Sequence, residues 1–323
     1  MPIIKKASKN EVLRRVMNGN TMVEWYADGT RIRYEPDSGS IPDMPESMDL
    51  KITNKCDNPH CMKWCHEKSN PKGLHADLDK IAHALRDMSF GELAIGGGNP
   101  LCHPDLMKFL QVMADRGVIC NLTVNQYHAS MPEYLDQIEK YVQKGLIKGL
   151  GISLTTEEIE TFKKVEAITP HMVVHVIAGV HDPRRVLNWL IPGLNKPKVL
   201  ILGYKDWGNG VSFAKSKLNT VSDYKQLWAE MMPEFLKSPA DKLVLAFDNL
   251  AVDQLKMKNL VDQKTWDSFY AGRDGENTLY INGPEHVFAR SSTSPTKHPI
   301  TDSISLKEMF TLIRARTVSN LPH

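Results

Sequence analysis

The sequence predicts an α/β protein: a partial (β/α)6 TIM-like barrel with an N-terminal hairpin and a C-terminal α+β extension. Three observations lead there. Between residues 48 and 210, six short β-branched segments alternate with segments of helical period, and right-handed crossovers leave few topologies for such a run other than a parallel sheet. The six segments are nearly continuously apolar, as expected where helices cover both faces of a parallel sheet. The length of 323 residues accommodates one such barrel, commonly about 250 residues, with appendages. The expected organisation is an N-terminal helix, hairpin and linker over residues 1–47, the barrel core over 48–210, and an extension of helices, a strand and a hairpin over 211–323.

Taken in order, residues 23–34, VEWYADGTRIRY, alternate around Asp28-Gly29, a strong hairpin signal. The Pro/Ser/Asp-rich stretch EPDSGSIPDMPES, residues 35–47, reads as a linker. SMDLKIT (47–53) is the first barrel strand, and after a cysteine-rich loop ADLDKIAHALRDM places Leu78, Ile81, Leu85 and Met88 on one helical stripe. GELAIGG (91–97) is the second strand; Leu106, Phe109, Leu110 and Met113 then mark a helix that Gly117 stops. The unit repeats as VICNLTV (118–124) with PEYLDQIEKYVQKG, IKGLGISL (147–154) with TEEIETFKKVEAI, HMVVHVIAG (171–179) with RRVLNWLI, and KPKVLILGY (196–204). Beyond it come the long helix SDYKQLWAEMMPEFLK, the strand KLVLAFD (242–248), a second hairpin from NTLYING and EHVFARSS, and the amphipathic helix ISLKEMFTLIRAR.

Composition narrows the function. Apolar residues at 41% and charged residues at 24%, without biased tracts, are those of a soluble globular chain, not of a disordered one. A formal charge of +2 with no basic, aromatic-interleaved stripe does not indicate nucleic acid. The N-terminus lacks an apolar signal core, and no window approaches the roughly 18 apolar residues of a membrane span, so a cytoplasmic protein is expected. Five cysteines, three of them clustered, do not form a disulfide framework; in a reducing compartment such a cluster is more often a metal or redox site. Cys102 and Cys120 stand apart and read as small buried apolar residues.

The cluster lies in KCDNPHCMKWCHEKS, residues 55–69, where Cys56, Cys61 and Cys65 are spaced C-x4-C-x3-C. Thiolates select zinc, copper(I) or iron-sulfur clusters. A structural zinc site needs four closed ligands, the fourth here being His60 or His66. Three cysteines with one open iron position instead suit a [4Fe-4S] cluster that binds a ligand at its fourth iron. The loop follows the first barrel strand, at the end where barrel enzymes carry their chemistry.

This loop resembles that of the radical S-adenosylmethionine (SAM) family, which has C-x3-C-x2-C at the same place with an aromatic before the third cysteine, here Trp64; each gap is one residue longer in this chain. AIGGGNPLCHPDL, residues 94–106, is similar to the family's GGEP element, with Gly97, Gly98, Asn99 and Pro100 in register and Asn99 where Glu is usual. LTVNQ (122–126) and GISLTT (151–156) resemble the ends of the family's third and fourth strands, and GYKDWGNG (203–210) the segment after its sixth, which turns toward adenine. The resemblance covers residues 48–205 and implies that Cys56, Cys61 and Cys65 hold a [4Fe-4S] cluster whose unique iron is chelated by SAM. It implies that Trp64, Gly97, Gly98, Asn99, Asn125 and Ser153 line the SAM site, the glycines letting backbone approach the SAM ammonium. Ser153 and Asn125 read equally well as plain strand-end residues; His66-Glu67 could orient the loop or touch substrate, a solvated pair being the more ordinary reading; Lys205-Asp206 suits a substrate role or a surface turn equally; and His103 is expected to begin or cap its helix.

The implied reaction is reductive cleavage of SAM to a 5′-deoxyadenosyl radical that abstracts hydrogen from a substrate, with the protein supplying binding, orientation and exclusion of side reactions. The two hairpins and the C-terminal helix are candidate lids. No residue other than the cluster and SAM ligands is singled out as catalytic. The implied partners are an electron donor such as flavodoxin or ferredoxin and a small-molecule, nucleotide or peptide substrate, with no membrane. The competing reading is a zinc-stabilised or degenerate radical-SAM-like binding protein without catalysis.

Overall fold

The computed structural model describes residues 11–27, 29–237, 242–270 and 272–318. Three strands, β1 (Val12–Asn18), β2 (Thr21–Tyr26) and β3 (Arg31–Tyr34), form an antiparallel sheet in that order. Where a helix was expected in the N-terminal segment, residues 12–18 are a strand, held by its pairing with β2, Asn18 opposite Thr21 and Val16 opposite Val23, and not by any apolar alternation of its own. Residues 1–10 and Asp28 of the expected hairpin turn lie outside the described residues.

The barrel strands are β4 (Ser47–Thr53), β5 (Glu92–Gly97), β6 (Ile119–Asn125), β7 (Gly149–Ser153), β8 (Met172–Ile177) and β9 (Lys198–Leu202), each paired in parallel with the next. Between and after them lie α1 (Leu78–Ala84), α2 (Leu106–Asp115), the single turn α3 (Gln126–Ala129), α4 (Pro132–Gln143), α5 (Glu160–Ile168), α6 (Pro183–Gly193), α7 (Asn209–Ser216) and α8 (Leu218–Phe235). The extension adds β10 (Val244–Phe247), α9 (Asn249–Gln254), α10 (Gln263–Phe269), β11 (Thr278–Asn282), β12 (Val287–Ala289), β13 (His298–Pro299) and α11 (Leu306–Val318).

Two extension strands enlarge the six-unit barrel: β10 pairs in parallel with β9, and β11 in parallel with β4. The sheet order is β10-β9-β8-β7-β6-β5-β4-β11-β12-β13, with β10 and β13 as its edge strands. Asn249 Nδ2, just after β10, donates to Asp274 Oδ1, just before β11, at 2.6 Å.

The strands alternate, where the sequence reading had both faces apolar. Met48, Leu50, Ile52, Leu93, Ile95, Leu122, Val174, Val199 and Ile201 are buried under the helices. The intervening inner positions carry Asp49, Lys51, Ala94, Gly96, Thr123, Gly151 and His175. Small and polar inner residues set this interior apart from one filled by layers of branched apolar side chains.

Two of the three candidate lids sit away from the C-terminal mouth. The N-terminal sheet packs Trp25 on Phe90 at 5.8 Å and donates Arg14 Nη1 to Gly117 O at 2.8 Å, both at the N-terminal ends of barrel strands. α11 buries Leu306, Met309, Phe310 and Ile313, and takes Asp87 as hydrogen-bond acceptor for its first N–H groups. The second hairpin is built into the sheet edge through β11, so its turn lies at the C-terminal end of β4, where Gly283 N–H donates to Lys51 O at 2.9 Å. Among the described residues no helix is long and apolar enough to cross a membrane.

Candidate functional site

The cysteine loop leaves β4 at the mouth of the barrel and is closed at its neck by backbone. Asn54 N–H donates to Leu74 O at 2.8 Å, Asn70 N–H to Asn54 O at 3.0 Å, and Cys56 N–H to Asn70 O at 2.9 Å. Cys56 is buried, while Cys61 and Cys65 are half-buried and flank a 3-10 turn, Met62–Trp64. Burial pushes the Cys61 thiol up to about 12 and the Cys56 thiol up to about 11, with the neighbouring cysteines adding to both. The three thiols are therefore close enough to feel one another's charge, and burial outweighs the backbone hydrogen bonds that favour the Cys56 and Cys61 thiolates.

The glycine turn after β5 seats this loop. Gly98 N–H donates to Thr53 O at 2.7 Å and Asn99 N–H to Lys55 O at 2.6 Å. A Cβ on Gly98 would stand 2.1 Å from Lys55 O, and one on Gly97, whose φ is +127°, 2.5 Å from Thr53 O. The space that glycine frees is thus filled by the chain's own backbone. Asn99 is buried and its Oδ1 accepts from Leu101 N–H at 3.2 Å, capping the 3-10 turn Pro100–Cys102, while the Tyr134 hydroxyl lies beside its amide. His103 does not cap the helix, whose N-cap is Asp105; it stands ahead of it, its Nδ1 accepting from Asp105 N–H at 3.1 Å and its Nε2 donating to Ala76 O at 3.0 Å.

The segment 203–210 closes on the loop from the other side. Gly208, at φ +55°, has room for its backbone against His66 O only because it lacks Cβ, which would lie 2.2 Å away. Asn209 N–H donates to Cys65 O at 3.1 Å and its Nδ2 to Met62 O at 2.8 Å. This stretch, expected to face a nucleoside, here also clasps the cysteine turn. Trp64 meets Phe213 and His181 edge-on at 5.6 and 6.4 Å, and with His66, Ile177, Leu202, Tyr204 and Lys205 it lines a cleft at the ends of β8 and β9. Burial holds His181 neutral, its pKa down to about 4, and its Nδ1 accepts from Ile177 N–H at 2.8 Å.

His66 and Glu67 are not a solvated pair. Glu67 is ion-paired with Lys51 from the barrel interior and lies 3.2 Å from His66 Nε2. Burial opposes its ionisation, but His66 and Lys51 outweigh burial and hold its carboxyl below the usual range. His66 itself is pushed down by burial and by Lys205, so Lys51 is the cation of this group. Lys205 Nζ donates to Ser292 Oγ at 2.9 Å, and no carboxylate lies within ion-pair distance of it among the described residues. Asp49 faces the same interior, and burial raises its carboxyl although Lys205 partly offsets this.

Of the other expected site residues, Asn125 is buried at the end of β6, and Ser153 is half-buried beside it in register at the end of β7. Asn125 Oδ1 accepts from His128 N–H at 3.0 Å. Cys102 is not isolated: it donates to Asn99 O at 3.0 Å and its charge is felt at Cys56.

With this geometry in view, the chain was compared with known proteins. No family model and no curated protein matches its sequence. Among solved structures it matches SuiB of Streptococcus suis bound to precursor peptide SuiA, with a TM-score of 0.55 at 12% identity over 84% of this chain. SuiB bound to S-adenosylmethionine matches at 0.52 with 10% identity over 80% of the chain, and SuiB alone at 0.51 with 11% over 84%. The chain has the SuiB fold. It spans 65%, 64% and 66% of the three SuiB chains.

Against the SuiB fold, donor chemistry is the measure of the cysteine loop's fit to a cluster. A single tetrahedral ion with Zn–S of about 2.3 Å brings its sulfurs within about 4 Å of one another. Among the described residues no three His, Cys, Asp or Glu side chains converge in that way. The thiols of Cys56, Cys61 and Cys65 are soft donors of the type iron-sulfur clusters take. Sequence reasoning missed Lys51, His128 and Asn209. Lys51 and Asn209 carry no local signal, whereas the polar pair Asn125 and His128 at the end of an apolar strand was visible in the sequence.

Proposed function

We propose that this chain is a radical SAM enzyme in which Cys56, Cys61 and Cys65 hold a [4Fe-4S] cluster. The observation that carries the reading is the position of three thiols on one loop at the C-terminal mouth of an open parallel barrel, seated by the Gly97-Gly98-Asn99 turn and the 203–210 segment. The fold shared with SuiB, solved with S-adenosylmethionine, supports it.

When bound, the cluster and SAM supply one-electron cleavage to a 5′-deoxyadenosyl radical. The chain's own residues have other tasks. Trp64, Ile177, Leu202 and Tyr204 offer an apolar and aromatic cleft for a nucleoside. Asn99 is buried in the turn after β5, and Ser153 and Asn125 end neighbouring strands at the same mouth. The interior between Asp49, His175 and Lys205 holds the substrate away from water. SuiB is solved with a precursor peptide; for this chain a peptide stands beside a nucleotide or small molecule as the substrate, and flavodoxin or ferredoxin as the electron source.

The test is anaerobic purification and reconstitution, then dithionite and SAM. About four irons per chain and 5′-deoxyadenosine are expected, and Cys56→Ala, Cys61→Ala and Cys65→Ala each remove both. A colourless protein holding one zinc would establish the binding-protein reading instead.

A further inference from the structure

The first gap of the cysteine array carries four residues, Asp57 to His60, and both its ends are held by one helical turn. α3 follows β6 directly, so its side chains sit at the barrel mouth beside the loop. His128 on α3 is fully buried. Asn125 Oδ1 accepts from His128 N–H at 3.0 Å, which turns the amide Nδ2 toward His128 Nδ1 at 2.8 Å. Nδ1 therefore accepts, the ring proton sits on Nε2, and Nε2 donates to Asp57 Oδ1 at 2.6 Å. One residue earlier, Tyr127 meets the His60 ring edge-on at 5.5 Å. Asp57 directly follows Cys56, and His60 directly precedes Cys61.

We infer that His128 is a positioning residue for Cys56, holding the long first gap of the cysteine array against the end of β6 through Asp57, with Asn125 fixing its tautomer and Tyr127 steadying His60. The significance for cluster binding rests on the function proposed above; the hydrogen-bond chain does not. A charge-assisted bond from a buried imidazole to a carboxylate is among the stronger side-chain contacts, and it restrains a loop whose backbone holds Cys56 N–H at Asn70 O. It also accounts for the additional residue in the gap: the residue that lengthens the loop is matched by two side chains, on consecutive positions of α3, that engage it.

Asp57 is the point at which to test this, because its side chain is 64% exposed and its replacement leaves the core intact. The metal-free full chain is treated with iodoacetamide, and alkylation of each cysteine is followed by mass spectrometry, with Cys65 as internal reference. In Asp57→Leu the Cys56/Cys65 rate ratio rises about tenfold, as expected for loss of one charge-assisted bond. His128→Phe gives the same rise, and the double variant no more than either single. Asp57→Asn loses the charge but keeps the acceptor, and its ratio stays within about twofold of wild type. A wild-type ratio in Asp57→Leu overturns the inference, as does an Asp57→Asn ratio equal to that of Asp57→Leu, or a rise shared equally by all cysteines. A second arm measures iron content and reduction potential after reconstitution: Asp57→Leu lowers or shifts them and Asp57→Asn does not. Wild-type protein that takes up no iron would defeat the proposed function and leave the alkylation result standing.

Discussion

Replacing Gly98 by Ala puts the seating of the cysteine loop to the test without touching a cysteine. The added Cβ would meet Lys55 O at 2.1 Å and Lys55 C at 2.7 Å, both backbone atoms that cannot rotate aside. Restoring ordinary contact needs a separation of about 1 Å between the turn and the loop. That movement breaks Gly98 N–H to Thr53 O, 2.7 Å, and Asn99 N–H to Lys55 O, 2.6 Å. Each bond contributes about 1 kcal/mol, and unpaired buried groups add to the loss, giving about 2–4 kcal/mol. In a chain of this size that is a fall in melting temperature of about 4–8 °C. Gly96→Ala is the control: its Cβ meets only Thr123 Cβ, at 3.8 Å, and should melt within about 1 °C of wild type. Differential scanning fluorimetry reads both, and iron retention after reconstitution should fall for Gly98→Ala alone. Equal melting of the two variants, or an unperturbed Gly98→Ala, would refute the view that this glycine exists to seat the loop.

Three further outcomes are expected. Lys51 and Glu67 have side chains 5% and 17% exposed, so Lys51→Met, which strands a buried carboxylate, should cost about 3–5 kcal/mol in urea midpoints, and Lys51→Met with Glu67→Gln should recover at least half; a double variant no better than the single contradicts this. Burial lowers His175 from the ordinary imidazole value, about 6.5, to about 4, so the folded state resists protonation; stability present above pH 6.5 falls as pH drops toward 4. By pH 5 the loss attributable to His175 is about 2 kcal/mol, and a His175→Gln variant with the same pH dependence as wild type would disprove the assignment. Asn18 accepts from Asp43 and Met44 N–H, both at 3.0 Å, and donates to Met44 O at 2.9 Å. Asn18→Ala should therefore destabilise the linker by about 3 kcal/mol, with faster hydrogen exchange at Asp43 and Met44; unchanged exchange there rules this out.

How much was legible in advance differs from element to element. The β4 strand was read at its full extent because SMDLKIT is bounded by a Pro-rich linker on one side and cysteines on the other. α3 was not read: one turn of QYHA between a strand and Pro132 leaves no period to detect, and it exists because Asn125 caps it. β1 was not read as a strand, because Val12-Leu13, Arg14-Arg15 and Val16-Met17 come in like pairs that give no period of two.

The sequence alone determined the alternation of strands and helices and the grouping of three thiols after the first of them, because periodicity and spacing are local properties of a chain. Only the tertiary structure decided that β10 and β11 extend the barrel, that Gly97 and Gly98 make room for the cysteine loop's own backbone, and that Lys51 and His128 reach that loop from neighbouring strand ends. Those contacts join residues about 16 to 71 positions apart. Such distant pairings are fixed by strand register and by which side chains the barrel turns inward, and no window of sequence contains either.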